Sequence, residues 1–222
     1  MLFDLRSRGR RRTVQGVYLG LALLMGGGLV LFGVGAGNGF GGLLNAFSGN
    51  GSGNNQNQVV NQQVQTAQKQ VNLNPSSAAA WAGMVQARWT VAGQGSNYNT
   101  ATATFTASGK RQLSAATQSW QHYLQLTKSP DPNLAVLAAR AYAGLGDYAG
   151  EAGAWEIETA ASPTAVKGYE CLAVSAYAAK QTRKGDLAVT KALALVPKTQ
   201  RALLKTQLNQ AKSQPAALAQ QC

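Results

Sequence analysis

Residues 14–36 read VQGVYLGLALLMGGGLVLFGVGA, 23 positions without a charge and with only Gln15 strongly polar. At ~1.5 Å per residue a helix of that length extends roughly 34 Å, enough for the ~30 Å hydrocarbon layer of a bilayer. The run predicts a transmembrane helix over 13–37. The next stretch, GNGFGGLLNAFSGNGSGNNQNQ, has only small apolar islands, and Leu43, Leu44 and Phe47 could make one turn at a bilayer surface. It buries too little to offset its chain entropy and predicts a flexible linker over 38–58. From Val59 onward Ala, Leu and Gln dominate, and prolines fall singly at 75, 130, 132, 163, 197 and 215. Alanine favours helix and proline ends it, so short helices separated by turns are expected over 59–213, with 214–222 as a frayed tail. The exception is GQGSNYNTATATFTASG, residues 93–109, whose alternating Thr and Ala suggest an inserted hairpin or lariat with Tyr98 and Phe105 packed on the helices. Insertions of that length are functional or disordered, and the sequence leaves both open.

The prolines also measure a period. Pro163 and Pro197 stand 34 residues apart, and counting back from each gives units starting at Pro132 and Val166. In the first of these, Ala138, Ala139 and Tyr142 precede Leu145-Gly146-Asp147-Tyr148, and Trp155 follows. In the second, Tyr169, Leu172, Ala173 and Ala176 precede Gly185, Val189 and Ala192. An earlier unit starts near Ala78, with Trp81 and Met84 in phase but Arg88 where an aromatic is preferred. Its second helix appears only at about Arg111–Lys128, with Trp120 and Tyr123 as packing aromatics. Residues 199–213 read as a polar-faced capping helix. This pattern of small and large positions, closed by proline and turned by LGDY, resembles the tetratricopeptide repeat (TPR), and specifically bacterial TPR proteins held by one membrane span. The resemblance implies an all-α fold: an N-terminal transmembrane helix, the linker, and an α-solenoid of about three helix-turn-helix units with flanking helices.

Charge bears on topology and partners. The net charge is +12, of which +4 lies in residues 1–12, where Arg6, Arg8, Arg10, Arg11 and Arg12 face only Asp4. That basic tail belongs on the cytoplasmic side, which puts the helical domain outside the membrane. A cleaved secretory signal is the competing reading, but the apolar run is long for one and Val34-Gly35-Ala36 matches a cleavage site only in part. The remaining basic residues are scattered, giving a solvated surface rather than the basic stripe with aromatics that nucleic acid needs.

Chemistry is sparse. The single histidine, His122, and the near neighbours Glu151, Glu156 and Glu158 lack the partners that catalysis or a metal would require. The glycine runs sit in or beside the apolar segment and do not make a phosphate loop. No enzyme activity, cofactor or metal is expected. Cys171 and Cys222 read as one buried helix cysteine and one free thiol in the frayed tail, with pairing open if the domain faces an oxidising compartment. Gly16, Gly20, Gly33 and Gly37 are spaced for close helix–helix contact, which allows a homodimer through the span.

The TPR resemblance implies a concave groove lined by the first helix of each unit. Its groove positions fall on Gln86, Trp89, Asn133, Arg140, Lys167, Glu170 and Tyr177, a mixed aromatic and polar set suited to an extended segment or partner helix. The expected function is a membrane-tethered adaptor or assembly factor that binds a protein partner on the extracytoplasmic side. The alternative is an accessory subunit of a membrane complex, such as one at the translocon, held mainly through its span.

Overall fold

The computed structural model describes residues 53–222, and these are almost wholly helical. In chain order they form α1 (Gly53–Leu73), α2 (Ala78–Ala92), a 3-10 turn at Gly95–Asn97, β1 (Tyr98–Asn99), β2 (Thr104–Phe105) and α3 (Ala107–Leu126). Then come α4 (Pro132–Leu145), α5 (Tyr148–Ala161), α6 (Val166–Ala178), α7 (Thr182–Leu195), α8 (Lys198–Ala211) and α9 (Pro215–Ala219). The described residues are thus all-α apart from one two-stranded ribbon. The basic tail, the expected span at 13–37 with Gly16, Gly20, Gly33 and Gly37, and most of the expected linker lie outside them. Among the described residues no helix is long and apolar enough to cross a membrane. α1 starts at Gly53, reaching back into the polar stretch expected as linker.

Short turns fold the chain into helix hairpins, and the LGDY segment shows how. Leu145 ends α4, and Gly146 adopts the left-handed conformation (φ 75°) that glycine takes without steric cost. The N–H of Asp147 bonds the Tyr142 carbonyl, and the Asp147 side chain accepts from the Gly150 N–H to start α5. At the other end of α4, Pro132 occupies the first turn and Asp131 accepts from the Asn133 N–H at 2.9 Å. The same turn recurs 34 residues later without its ideal residues. Lys180 takes φ 61°, and Gln181 donates its N–H to the Ala176 carbonyl but provides no side-chain cap for α7. The helices α4 and α6 begin at Pro132 and Val166, as the proline spacing predicts.

Alanine sets the distance between the paired helices. Ala135, Ala138, Ala139, Ala152, Ala173 and Ala176 are all fully buried, so backbones approach closely while Trp120, Tyr123, Tyr142 and Trp155 fill the remaining space. The α4–α5 and α6–α7 hairpins each also contain a tyrosine ring laid on a glycine of the following helix. A Cβ at Gly150 would collide with the Tyr142 ring, and one at Gly185 with the Tyr177 ring. The backbone turns repeat at 34 residues, yet Tyr142 and Tyr177, like Gly150 and Gly185, are 35 apart. The packing pair has slipped by one residue relative to the backbone.

The insertion is an ordered ribbon, with Tyr98 opposite Phe105 in antiparallel register. Its base is held by three bonds: Thr106 N–H to the Asn97 carbonyl, Thr106 Oγ1 to the Ser96 carbonyl, and Asn97 Nδ2 to the Val91 carbonyl. Phe105 packs edge-on against Tyr98 (5.1 Å between ring centres) and near Trp89 (6.2 Å), and lies over Gly144 of α4 beside Leu113. The ribbon therefore covers one end of the α2–α3–α4 stack, which explains how residues 93–106 separate α2 from its hairpin partner α3 without opening the core.

Candidate protein-binding face

The first helices of the successive hairpins, α2, α4 and α6, carry the residues expected to line a groove, and the structure sorts them into three groups. Asn133, Arg140 and Lys167 are exposed on α4 and α6. Asn133 sits in the first turn of α4, where its Nδ2 reaches the Asp131 carboxylate. Lys167 pairs with the half-buried Glu170 one turn along at 3.8 Å, an exposed helix pair of small energetic weight. Gln86 and Trp89 are half-buried on α2; Trp89 is committed to the cluster beneath Phe105, and the Gln86 carbonyl takes the Thr90 hydroxyl.

Tyr177 belongs to neither group. It is 8 % exposed, its ring lies on Gly185, and its hydroxyl donates to Asp186 at 2.8 Å. Lys212 of α8 completes the arrangement, with its ammonium 2.7 Å from the same carboxylate and 4.9 Å from the ring centre. Burial, then the Asp186 hydrogen bond, push the Tyr177 hydroxyl up to about 12, and the Lys212 hydrogen bond holds Asp186 below the usual carboxylate range. Tyr177 is thus a packing residue between α6 and α7, and it falls at a groove position of the repeat because the aromatic–glycine pair slips by one.

What actually occupies the face of α6 is the chain's own end. The stretch expected as a frayed tail forms α9, which lies against α6 with Ala219 fully buried and Leu218 packed beside Val174 and Ala178. Cys222 is bonded to Cys171 of α6, with Cα atoms 5.6 Å apart, so the expectation of a buried cysteine and a free thiol gives way to a disulfide. Arg140 donates from Nε to the Cys222 carbonyl at 3.3 Å, and Tyr148 at the start of α5 donates to the Ala216 carbonyl at 3.5 Å. Of the seven expected residues, the structure brings only Arg140 to this segment. Sequence reasoning missed Cys171, Val174, Ala178 and Tyr148. Val174 and Ala178 stand on the helix face that carries Cys171, one turn apart each, a signal that was present in the 3.6-residue spacing.

Two further features are chemically distinctive. Glu151 of α5 is fully buried; Trp155 Nε1 donates to its Oε1 at 3.4 Å, and Oε2 has no hydrogen-bond partner among the described residues. Burial pushes this carboxyl up to about 8, so it is held as the neutral acid at neutral pH. His122 is exposed and stacks on Trp81 at 4.3 Å, a packing role. Among the described residues no three His, Cys, Asp or Glu side chains converge as a metal site requires. In comparison with known proteins, the sequence matches no family model and no curated protein.

Proposed function

We propose that this chain is a membrane-tethered, TPR-type adaptor that binds a protein segment on the face made by α4 and α6, outside the membrane. The observation that carries the reading is that this face already seats a peptide: residues 215–222 lie on α6 and are touched by Arg140 of α4. A surface of small aliphatic side chains with Arg140 at its edge suits a short helix or extended segment without strong charge. Support for the TPR assignment comes from the 34-residue recurrence of turn geometry at Gly146 and Lys180 and from the small residues between paired helices. Support for the topology comes from the arginines before an uncharged apolar run, and from a disulfide, which persists in oxidising compartments and is rare in the cytosol.

Photocrosslinkers placed at Asn133, Lys167 and Gly20 of the full chain in native membranes test it. The adaptor reading expects a discrete protein adduct from Asn133 or Lys167. Adducts from Gly20 alone, in the chain with and without residues 215–222, would sink it and favour an accessory subunit held through the apolar segment.

A further inference from the structure

The segment on the α6 face is held in an uneven way. Its root is firm: Lys212, at the end of α8, is tied to Asp186 and lies over Tyr177. Three residues, Lys212 to Gln214, separate α8 from α9. Beyond them α9 is a helix of five residues, far below the length at which an isolated helix is stable. Its non-covalent contacts are Ala219 and Leu218 packed with Val174, Ala178, Ala211 and Tyr148, plus three long hydrogen bonds of 3.3 to 3.5 Å from Arg140, Tyr148 and Gln220. The one strong attachment is the Cys171–Cys222 bond at its tip. Cys171 is fully buried while Cys222 is partly exposed, so the bond is open to attack from the Cys222 side only.

We propose that residues 215–222 are a tethered occupant of the binding face, latched by the Cys171–Cys222 disulfide, and that reduction by a dithiol frees the face for a partner segment of the same chemistry. This rests on the adaptor reading and adds to it both a partner class and a control. The partner class is read from the occupant: Pro-Ala-Ala-Leu-Ala-Gln-Gln is uncharged, with small aliphatic side chains on one side of a short helix. The face it covers is equally uncharged at Val174 and Ala178, with Arg140 at its rim to take a backbone carbonyl.

The step balances as an ordinary thiol–disulfide exchange. A thiolate of the reductant attacks Sγ of Cys222, forming a mixed disulfide and expelling the Cys171 thiolate, which takes up a proton. The second thiol of the reductant then displaces the Cys222 thiolate, which is also protonated. The reductant closes as a cyclic disulfide, and the protein has gained two electrons and two protons. The freed strap swings about Ser213 and Gln214 but remains attached, at an effective concentration on the order of millimolar. With so few contacts of its own it competes weakly, so a partner can displace it.

The test uses the full chain in detergent micelles in four forms: oxidised, reduced with dithiothreitol, Cys222→Ser, and lacking residues 215–222. The probe is a synthetic peptide of residues 214–221, which has no cysteine and cannot be captured covalently. It is titrated through ~1 mM, the scale set by the tether, and read from the Val174 methyl shifts. The form lacking 215–222 should bind it, the oxidised form at least tenfold more weakly, and the reduced and Cys222→Ser forms within about threefold of the truncated one. Hydrogen exchange should accelerate at least tenfold at amides 216–221 on reduction while the methyl resonances of α4 and α5 keep their native shifts, which controls for unfolding. Unchanged exchange at 216–221 would overturn the latch, and failure of the truncated form to bind the peptide would overturn the partner class. If the crosslinkers at Asn133 and Lys167 capture a partner equally in oxidised and truncated chains, the adaptor reading stands and the strap inference falls. If they capture none in either, the adaptor reading itself falls.

Discussion

Glu151 offers the sharpest test of the energetics. Its carboxyl is fully buried, and burial raises its pKa from 4.5 to about 8, against a smaller opposing effect of the Trp155 hydrogen bond. The folded protein therefore keeps a proton that the unfolded chain releases above pH 4.5. The stabilisation this gives is fully present below that pH and is lost progressively as pH rises toward 8. Each pH unit is worth about 1.4 kcal/mol, so the loss is about 3 kcal/mol by pH 7 and is capped near 5 kcal/mol above pH 8. Against a typical total stability of about 5–15 kcal/mol that is a large fraction. Glu151→Gln removes the titration and keeps an oxygen to accept from the Trp155 indole. Its amide leaves a donor where Oε2 lacks a partner, a pH-independent cost of about 1–3 kcal/mol. The informative quantity is thus the difference between the two proteins as a function of pH. Urea unfolding followed by tryptophan fluorescence reports the relevant region, because all four tryptophans lie between residues 81 and 155. Glu158, also raised by burial, is common to both proteins and cancels. From pH 5 to pH 9 the wild type should lose at least about 2 kcal/mol relative to Glu151→Gln. Parallel curves would refute the buried neutral acid.

Two further outcomes follow from the backbone. Lys180 holds φ 61° where the equivalent turn uses Gly146, so Lys180→Gly should raise stability by about 1 kcal/mol in the same unfolding assay, and a decrease would show that the lysine side chain is needed there. The Cys171–Cys222 bond closes a loop with a sequence separation of 51, which in the chain-entropy treatment is worth about 4 kcal/mol. Reduction should then lower the urea midpoint by about 2 M for a slope near 2 kcal/mol/M, and a shift below about 0.5 M would contradict it.

The sequence was most legible where local chemistry and tertiary packing agree. Pro132, Asp131 and the LGDY turn define α4 and α5 because Asp131 caps the start of α4, while the left-handed Gly146 ends it and the adjacent Asp147 caps α5. The insertion was legible as a hairpin or lariat because Thr and Ala alternate between Tyr98 and Phe105, though its attachment over Gly144 depends on residues distant in sequence. Arg140, expected at a groove position, is exposed on α4 and contacts Cys222. Tyr177 was misplaced because a strict 34-residue count assumes that side-chain packing and backbone turns advance together. The end of the chain was illegible for a different reason: a five-residue helix is too short to show periodicity, and no spacing rule says that Cys222 returns to Cys171.

The one-residue slip between Tyr142 with Gly150 and Tyr177 with Gly185 limits how the hairpins can be exchanged. Aligned by its turn, α7 presents Lys184 at the place where α5 presents Gly150. A chimera that joins α7 to α4 would drive a long charged side chain into the Tyr142 ring and leave Gly185 facing a gap. Ring and glycine must therefore be inherited together: altering either partner alone produces a collision or a hole, and only a matched double change carries the junction from one phase to the other.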